Sequence, residues 1–143
     1  MLFRSGKLVP NDLEDLVMHK SQLAGFILDC KTDDLQAAAN FWGAALGYAV
    51  EQSPAPGAEQ YRELETGPAD YHLEVQRVGH ASRVHIDIET DDIEAEVARL
   101  EQLGAKRLDS INTWVVMEAP TGQRFCVVRP QRAIFEESAN RWD

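Results

Sequence analysis

The sequence predicts an α+β domain built from two tandem βαβββ units, and three observations carry that expectation. Ile27-Leu-Asp-Cys-Lys-Thr-Asp-Asp34 recurs without gaps as His85-Ile-Asp-Ile-Glu-Thr-Asp-Asp92, an offset of 58 (85 − 27), with four of the eight positions identical. Behind each Asp-Asp pair an apolar stripe of helical spacing begins and ends at a glycine, Gly47 or Gly104. Short strand-like runs fill the remainder of each unit, separated by Pro/Gly-rich punctuation. A period of this length with matched punctuation marks a duplicated supersecondary unit.

Residues 1–21 lack strand alternation and read as an N-terminal leader, with Pro10-Asn11-Asp12 able to cap only a short helical turn. Removing residues 1–17 is expected to leave fold and melting temperature nearly unchanged. The domain proper is expected over 22–130, with units at 22–78 and 83–130. Leu23–Cys30 and Arg83–Glu89 are apolar-rich strands. Asp33-Asp34 and Asp91-Asp92 supply capping oxygens and first-turn negative charge. Leu35, Ala38, Ala39, Trp42, Ala45 and Leu46 form the first stripe, and Ile93, Val97, Leu100 and Leu103 the second. Tyr48–Gln52, Tyr61–Glu65 and Tyr71–Val78 complete the first unit; Ala105–Leu108, Thr113–Glu118 and Arg124–Arg129 complete the second. Ser53–Gly57 is a loop and Pro120-Thr121-Gly122 a hairpin turn. Residues 131–143 form a polar tail in which Phe135 and Trp142 are the apolar anchors.

At 143 residues the chain is long enough for one self-supporting core. Fourteen basic residues against 24 acidic ones give a net charge of −10. Such a surface repels phosphate backbones and anionic lipid, which argues against nucleic acid or a membrane as partner. No run reaches the roughly 20 apolar residues of a membrane span, and no secretory h-region is present. Two cysteines provide neither a disulfide framework nor a CxxC zinc pattern, which suits a reducing, cytoplasmic setting.

This order of elements resembles the vicinal oxygen chelate superfamily, which includes glyoxalase I, extradiol dioxygenases and bleomycin-resistance proteins. The likeness spans roughly residues 22–130. It is carried by Phe41-Trp42-Gly43-Ala-Ala-Leu-Gly47, by His85–Asp92, and by Ala119-Pro-Thr-Gly-Gln-Arg-Phe-Cys-Val-Val128. The tail from Arg129-Pro130 to Trp142-Asp143 is similar to that of the glyoxalase-like domain group. The resemblance implies one U-shaped mixed sheet made by both units, with the helices on its convex side. It also implies a divalent metal ion held where four inward strand positions converge. Those positions here are Ile27, Glu74, His85 and Cys126. Ile27 cannot coordinate, and Cys126 stands where the superfamily often has Glu, which leaves His85, Glu74 and Cys126 as the metal set and argues against glyoxalase I activity itself.

Strand parity extends this list. With His85 go Arg83 and Asp87; with Glu74, His72 and Gln76; with Cys126, Arg124 and Val128; with Ile27, Asp29. His72, Asp29, Asp87, Arg83 and Arg124 are therefore the candidate ligand-binding residues, and Glu74 the candidate catalytic base. Each has an alternative role: His85 as a core histidine bonded to Asp87 or Glu74, Glu74 as a partner of Arg83 or Arg124, and Cys126 as a small buried hydrophobe. Cys30 falls on the opposite face from Cys126, so two free thiols are expected. Two functions follow from this set: a metal-assisted lyase, isomerase or dioxygenase, or a metal-free protein that sequesters a small molecule, with Trp114 or Trp42 as a stacking surface. Open sheet edges and the resemblance together point to a homodimer.

Overall fold

The computed structural model describes residues 19–52, 56 and 58–143. The leader up to Met18 and most of the Ser53–Gly57 loop lie outside the described residues. Strands and helices follow the duplicated order: β1 (His19–Lys31), α1 (Leu35–Leu46), β2 (Ala49–Val50), β3 (Tyr61–Glu65) and β4 (His72–Val78) form the first unit. The second comprises β5 (Arg83–Thr90), α2 (Ile93–Gln102), β6 (Lys106–Ile111), β7 (Trp114–Glu118) and β8 (Arg124–Val128). A short helix, α3 (Phe135–Ser138), and a last strand, β9 (Asn140–Trp142), follow.

The nine strands of the described residues join one mixed sheet in the order β2-β3-β4-β1-β5-β8-β7-β6, with β9 pairing to β1. The two units meet at β1 and β5, which run antiparallel with Ile27 opposite His85. Each unit also pairs its first strand in parallel with its last, β1 with β4 and β5 with β8.

The capping chemistry is duplicated atom for atom. Asp34 Oδ1 accepts from Ala37 N at 3.0 Å, and Asp92 Oδ1 from Ala95 N at 3.1 Å. Thr32 and Thr90 hydroxyls accept from the amides of Asp34 and Asp92 at 3.0 and 3.1 Å. Each arrangement satisfies amides that a helix start leaves without partners. Gly47 closes α1 in the left-handed region at φ 83°, a conformation that side chains disfavour.

One apolar cluster lies beneath each helix. Leu28, Leu35, Ala39, Leu64 and Val75 pack under α1, joined by Trp42 and Cys30. Val97, Leu100, Val115, Met117 and Val127 pack under α2. Both clusters occupy the helix-covered face, so the opposite face, with every second residue of β1, β4, β5 and β8, is left to form a cleft.

The ends differ from expectation. β1 begins at His19, four residues before the apolar run that marks it in the sequence, because His19–Ser21 pair with β9. His19 and Ser21 are buried, and His19 Nε2 lies 2.7 Å from Glu96 Oε1. These three residues therefore belong to the sheet rather than to a leader. Residues 131–143 are likewise integrated: Phe135 is buried, Trp142 Nε1 donates to Ser21 Oγ at 2.8 Å, and its ring lies under the Arg99 guanidinium. The buried Glu89 carboxylate accepts from the amides of Gln131 and Arg132 at 2.6 and 2.9 Å, which fixes the turn after β8.

Sheet edges are blunted. β2 has two residues, and β6 carries a register irregularity between Arg107 and Asp109. Short and irregular edge strands are both devices that discourage strand addition.

Candidate functional site

The cleft has a volume of about 1160 Å³. Its floor is a grid set by strand register. Glu74, Ile27 and His85 lie side by side across β4, β1 and β5. One step along the strands, Asp87 lies beside Cys126, and one step the other way Asp29 lies between Gln76 and Arg83. Asp29, His72, Glu74, Arg83, His85, Asp87, Arg124 and Cys126 all line the cleft, so the alternation expected from the sequence holds on all four strands. Cys30 packs with the α1 cluster on the other face, and both cysteines are free thiols.

His85 is the hub. Its Nδ1 is 2.8 Å from Asp29 Oδ2, and its Nε2 faces Asp87 Oδ1 at 3.4 Å and Cys126 Sγ at 3.8 Å. Burial works against the imidazolium, but the hydrogen bond to Asp29 and the close approach of Asp87 and Cys126 outweigh burial and push its pKa up to about 11. Arg83 Nε stands 3.6 Å from the same Asp29 oxygen. The partner of Nδ1 is thus Asp29 rather than Asp87 or Glu74, the two candidates that the sequence suggested.

Glu74 sits elsewhere. Its Oε1 is 3.1 Å from His72 Nε2, and Glu63 Oε1 approaches His72 Nδ1 at 3.8 Å. Its partner is therefore neither Arg83 nor Arg124. Burial lowers the His72 pKa, yet the Glu74 hydrogen bond and the charges of Glu74, Glu63 and Asp87 raise it overall.

Among the described residues, one group brings metal-ligating atoms together: His85, Asp87 and Cys126, with donor atoms within 4.8 Å of one another. Asp87 occupies the place in this group that the resemblance gave to Glu74. Asp87 Oδ1 is buried and has no hydrogen-bond partner among the described residues, since its approach to His85 lacks hydrogen-bond geometry. An imidazole, a carboxylate and a thiol suit an ion of borderline softness such as zinc. Asp29 on the far nitrogen is the outer carboxylate that metal-binding imidazoles commonly have. The donor set therefore fits a divalent ion with three protein ligands.

Further cleft residues come from β3 and β7. Tyr61 and Glu63 alternate with the buried Leu64, so the same parity that places His85 also places them. Burial, then the negative charges of Glu74, Asp87 and Asp29, push the Tyr61 phenol up. Trp114 lines the cleft, whereas Trp42 packs into the α1 core. No helix among the described residues is long and apolar enough to cross a membrane.

Comparisons with known proteins agree with this architecture. Among solved structures, a methylmalonyl-CoA epimerase is similar at 13% identity, covering 77% of this chain and 95% of its own, with a TM-score of 0.54. A hypothetical protein from Bacillus halodurans is similar at 12% identity, covering 78% and 96%, with a TM-score of 0.53. At such identities the likeness shows a shared fold. No curated protein matches the sequence. The sequence profile described as "Glyoxalase-like domain" matches residues 25–128, both units from the middle of β1 to the end of β8. The chain belongs to the glyoxalase-like domain family.

Proposed function

We propose that the protein binds a small organic molecule in the sheet cleft beside a divalent ion held by His85, Asp87 and Cys126, and acts on it by proton transfer. The carrying observation is the convergence of those three donors, with Asp87 Oδ1 buried and without a hydrogen-bond partner among the described residues. Such an oxygen is costly in a folded protein unless a cation or a donor meets it. An ion there would polarise an oxygen of the ligand and lower its proton affinity.

The chain's own residues supply the rest. Asp29 fixes the orientation of His85 through Nδ1. Glu74 is the base in this reading: its carboxylate takes the proton, with Oε1 positioned 3.1 Å from His72 Nε2. Arg83 lines the same cleft with its Nε 3.6 Å from Asp29 Oδ2, and Arg124 stands exposed beside it.

A metal-free binding protein is the second reading. It is favoured by Ile27, an apolar residue 3% exposed beside His85, where the superfamily pattern places a ligand. Zinc titration in competition with a chromophoric chelator separates the two. Stoichiometric binding, lost in His85→Ala and weakened in Cys126→Ser, supports the metal reading. Absence of binding to wild-type protein leaves the metal-free reading.

A further inference from the structure

The two walls of the cleft differ in chemistry. Trp114 and Val116 of β7, with Leu108 and Ile111 of β6, supply the apolar surface of one wall, with Asp109 as its carboxylate. Leu108 and Ile111 are 42% and 38% exposed, so this wall keeps apolar surface uncovered. Opposite them stand Glu51, Glu63 and Glu74, with His72 as the one imidazole between Glu63 and Glu74. Glu51 Oε2 accepts from the Glu63 amide at 2.7 Å, which draws its carboxylate toward the other two. Burial, together with repulsion from Glu51, Glu74 and Glu65, pushes the Glu63 carboxyl up despite the attraction of His72. That wall carries more negative charge than its own imidazole balances.

The floor has the same need. Asp29 Oδ1 and Asp87 Oδ1 are buried without hydrogen-bond partners among the described residues, and the Asp29 residue is 4% exposed. Both are acceptors, so both call for a donor. Arg83 Nε already faces Asp29 Oδ2, while Arg124 and Arg129 are exposed. An ammonium offers three donors and a positive charge, whereas a carboxylate offers neither.

We infer that the ligand of this cleft is an amphiphilic amine, its flat apolar body against Trp114, Leu108 and Ile111 and its ammonium group against Glu63 and Glu74. The inference rests on the small-molecule reading of the cleft given above, but not on the metal. A cleft of about 1160 Å³ has room for a drug-sized molecule.

Calorimetric titration with naphthylmethylamine, naphthoate and the neutral naphthylmethanol tests it, on chelator-stripped and on zinc-loaded protein. The amine is expected to bind roughly ten-fold more tightly than naphthoate in stripped protein. Glu63→Gln with Glu74→Gln should bring the two within about two-fold while leaving naphthylmethanol unchanged. Glu63→Gln alone, at a half-exposed side chain, gives an intermediate preference and guards against misfolding of the double variant. Trp114→Ala should weaken all three probes alike. Equal binding of amine and naphthoate, or a preference that survives in the double variant, overturns the inference. If none of the three probes binds wild-type protein, the small-molecule reading falls with it. Failure of zinc to bind touches only the metal reading, which is measured separately.

Discussion

Asp29 and Asp87 occupy the same place in the two units, yet they end on opposite nitrogens of one imidazole. Their sequence positions differ by the repeat offset (87 − 29 = 58), and the antiparallel meeting of β1 and β5 brings both to His85. The equivalent of His85 in the first unit is Ile27, which lies directly across from it. Duplication thus supplied two carboxylates, and a difference at one position placed a cation between them. The lesson is that a symmetric scaffold yields an asymmetric centre through a single unequal residue. The symmetric parts, the paired aspartates and the paired caps, hold it in place.

Removing the unequal residue is the severest way to break this comparison. His85→Ala leaves two largely buried carboxylates without their cation, and loss of one partner of a buried pair costs about 3–5 kcal/mol. Urea unfolding in chelator should show a loss of that size. Zinc retention should vanish in the same variant. The two outcomes are compatible, because the imidazole bonds Asp29 through Nδ1 while Nε2 faces Asp87 and Cys126, where a metal would displace its proton. A loss below about 1 kcal/mol would mean that the carboxylates find other partners or take up protons.

Restoring symmetry sharpens the comparison from the other side. Ile27→His places a second imidazole between Glu74 and His85. Chelator competition should show zinc affinity rising by roughly ten-fold or more as a fourth ligand is added. Stability in chelator should fall by about 1–3 kcal/mol, since a polar ring replaces a buried isoleucine. Unchanged affinity would mean that Ile27 lies too far from the donors for its replacement to join them.

The charge on His85 also sets a pH dependence. Its folded pKa is raised from 6.5 to about 11, so the folded state holds a proton that the unfolded chain releases above 6.5. The stabilisation is fully present below about pH 6.5 and is lost as pH rises toward about 11. In chelator, stability should therefore decline across this window, with a slope of up to about 1.4 kcal/mol per pH unit. Excess zinc should flatten or reverse the slope, because the metal takes the place of the proton. A flat profile in chelator would remove the imidazolium from the centre.

The sequence made the fold and the cleft floor legible for one physical reason: strand parity is strict. Once His85 is set inward, Arg83 and Asp87 must follow, and the α1 and α2 stripes settle which face is covered. What was not legible depends on packing in three dimensions. Glu74 was assigned to the metal set, but it lies on β4, two strands from His85 with Ile27 of β1 between them, whereas Asp87 follows His85 on the same face of β5; that strand order is encoded by no local pattern. Asp29 as the Nδ1 partner required the register of β1 against β5. His19–Ser21 and Asn140–Trp142 looked featureless because each lacks apolar alternation, and their stability comes from pairing with one another and from the Trp142–Ser21 bond. Tyr61 and Glu63 were readable by parity from Leu64, though nothing in their own chemistry pointed to the cleft.

The smallest expected effect tests the symmetric part of the comparison. Asp34 and Asp92 make the same bond to the amide three residues on, at 3.0 and 3.1 Å. Loss of an N-cap side chain costs about 1 kcal/mol, so Asp34→Ala and Asp92→Ala should each lower stability by about that amount. The helices are not otherwise equal. The first turn of α2 carries Glu94 and Glu96, whereas the first turn of α1 has no acidic residue. Negative charge near a helix start is worth a few tenths of a kcal/mol against the dipole, and α2 keeps some when Asp92 is lost. Asp34→Ala should therefore be the more costly change by a few tenths of a kcal/mol. Matched urea unfolding curves for the two variants, and for Asp34→Asn and Asp92→Asn, resolve the hydrogen bond from the charge. The asparagine variants keep the bond, so the gap between them should equal the gap between the alanine variants if charge is its source. If the gap closes in the asparagine pair, the difference lies in how tightly the two caps are packed.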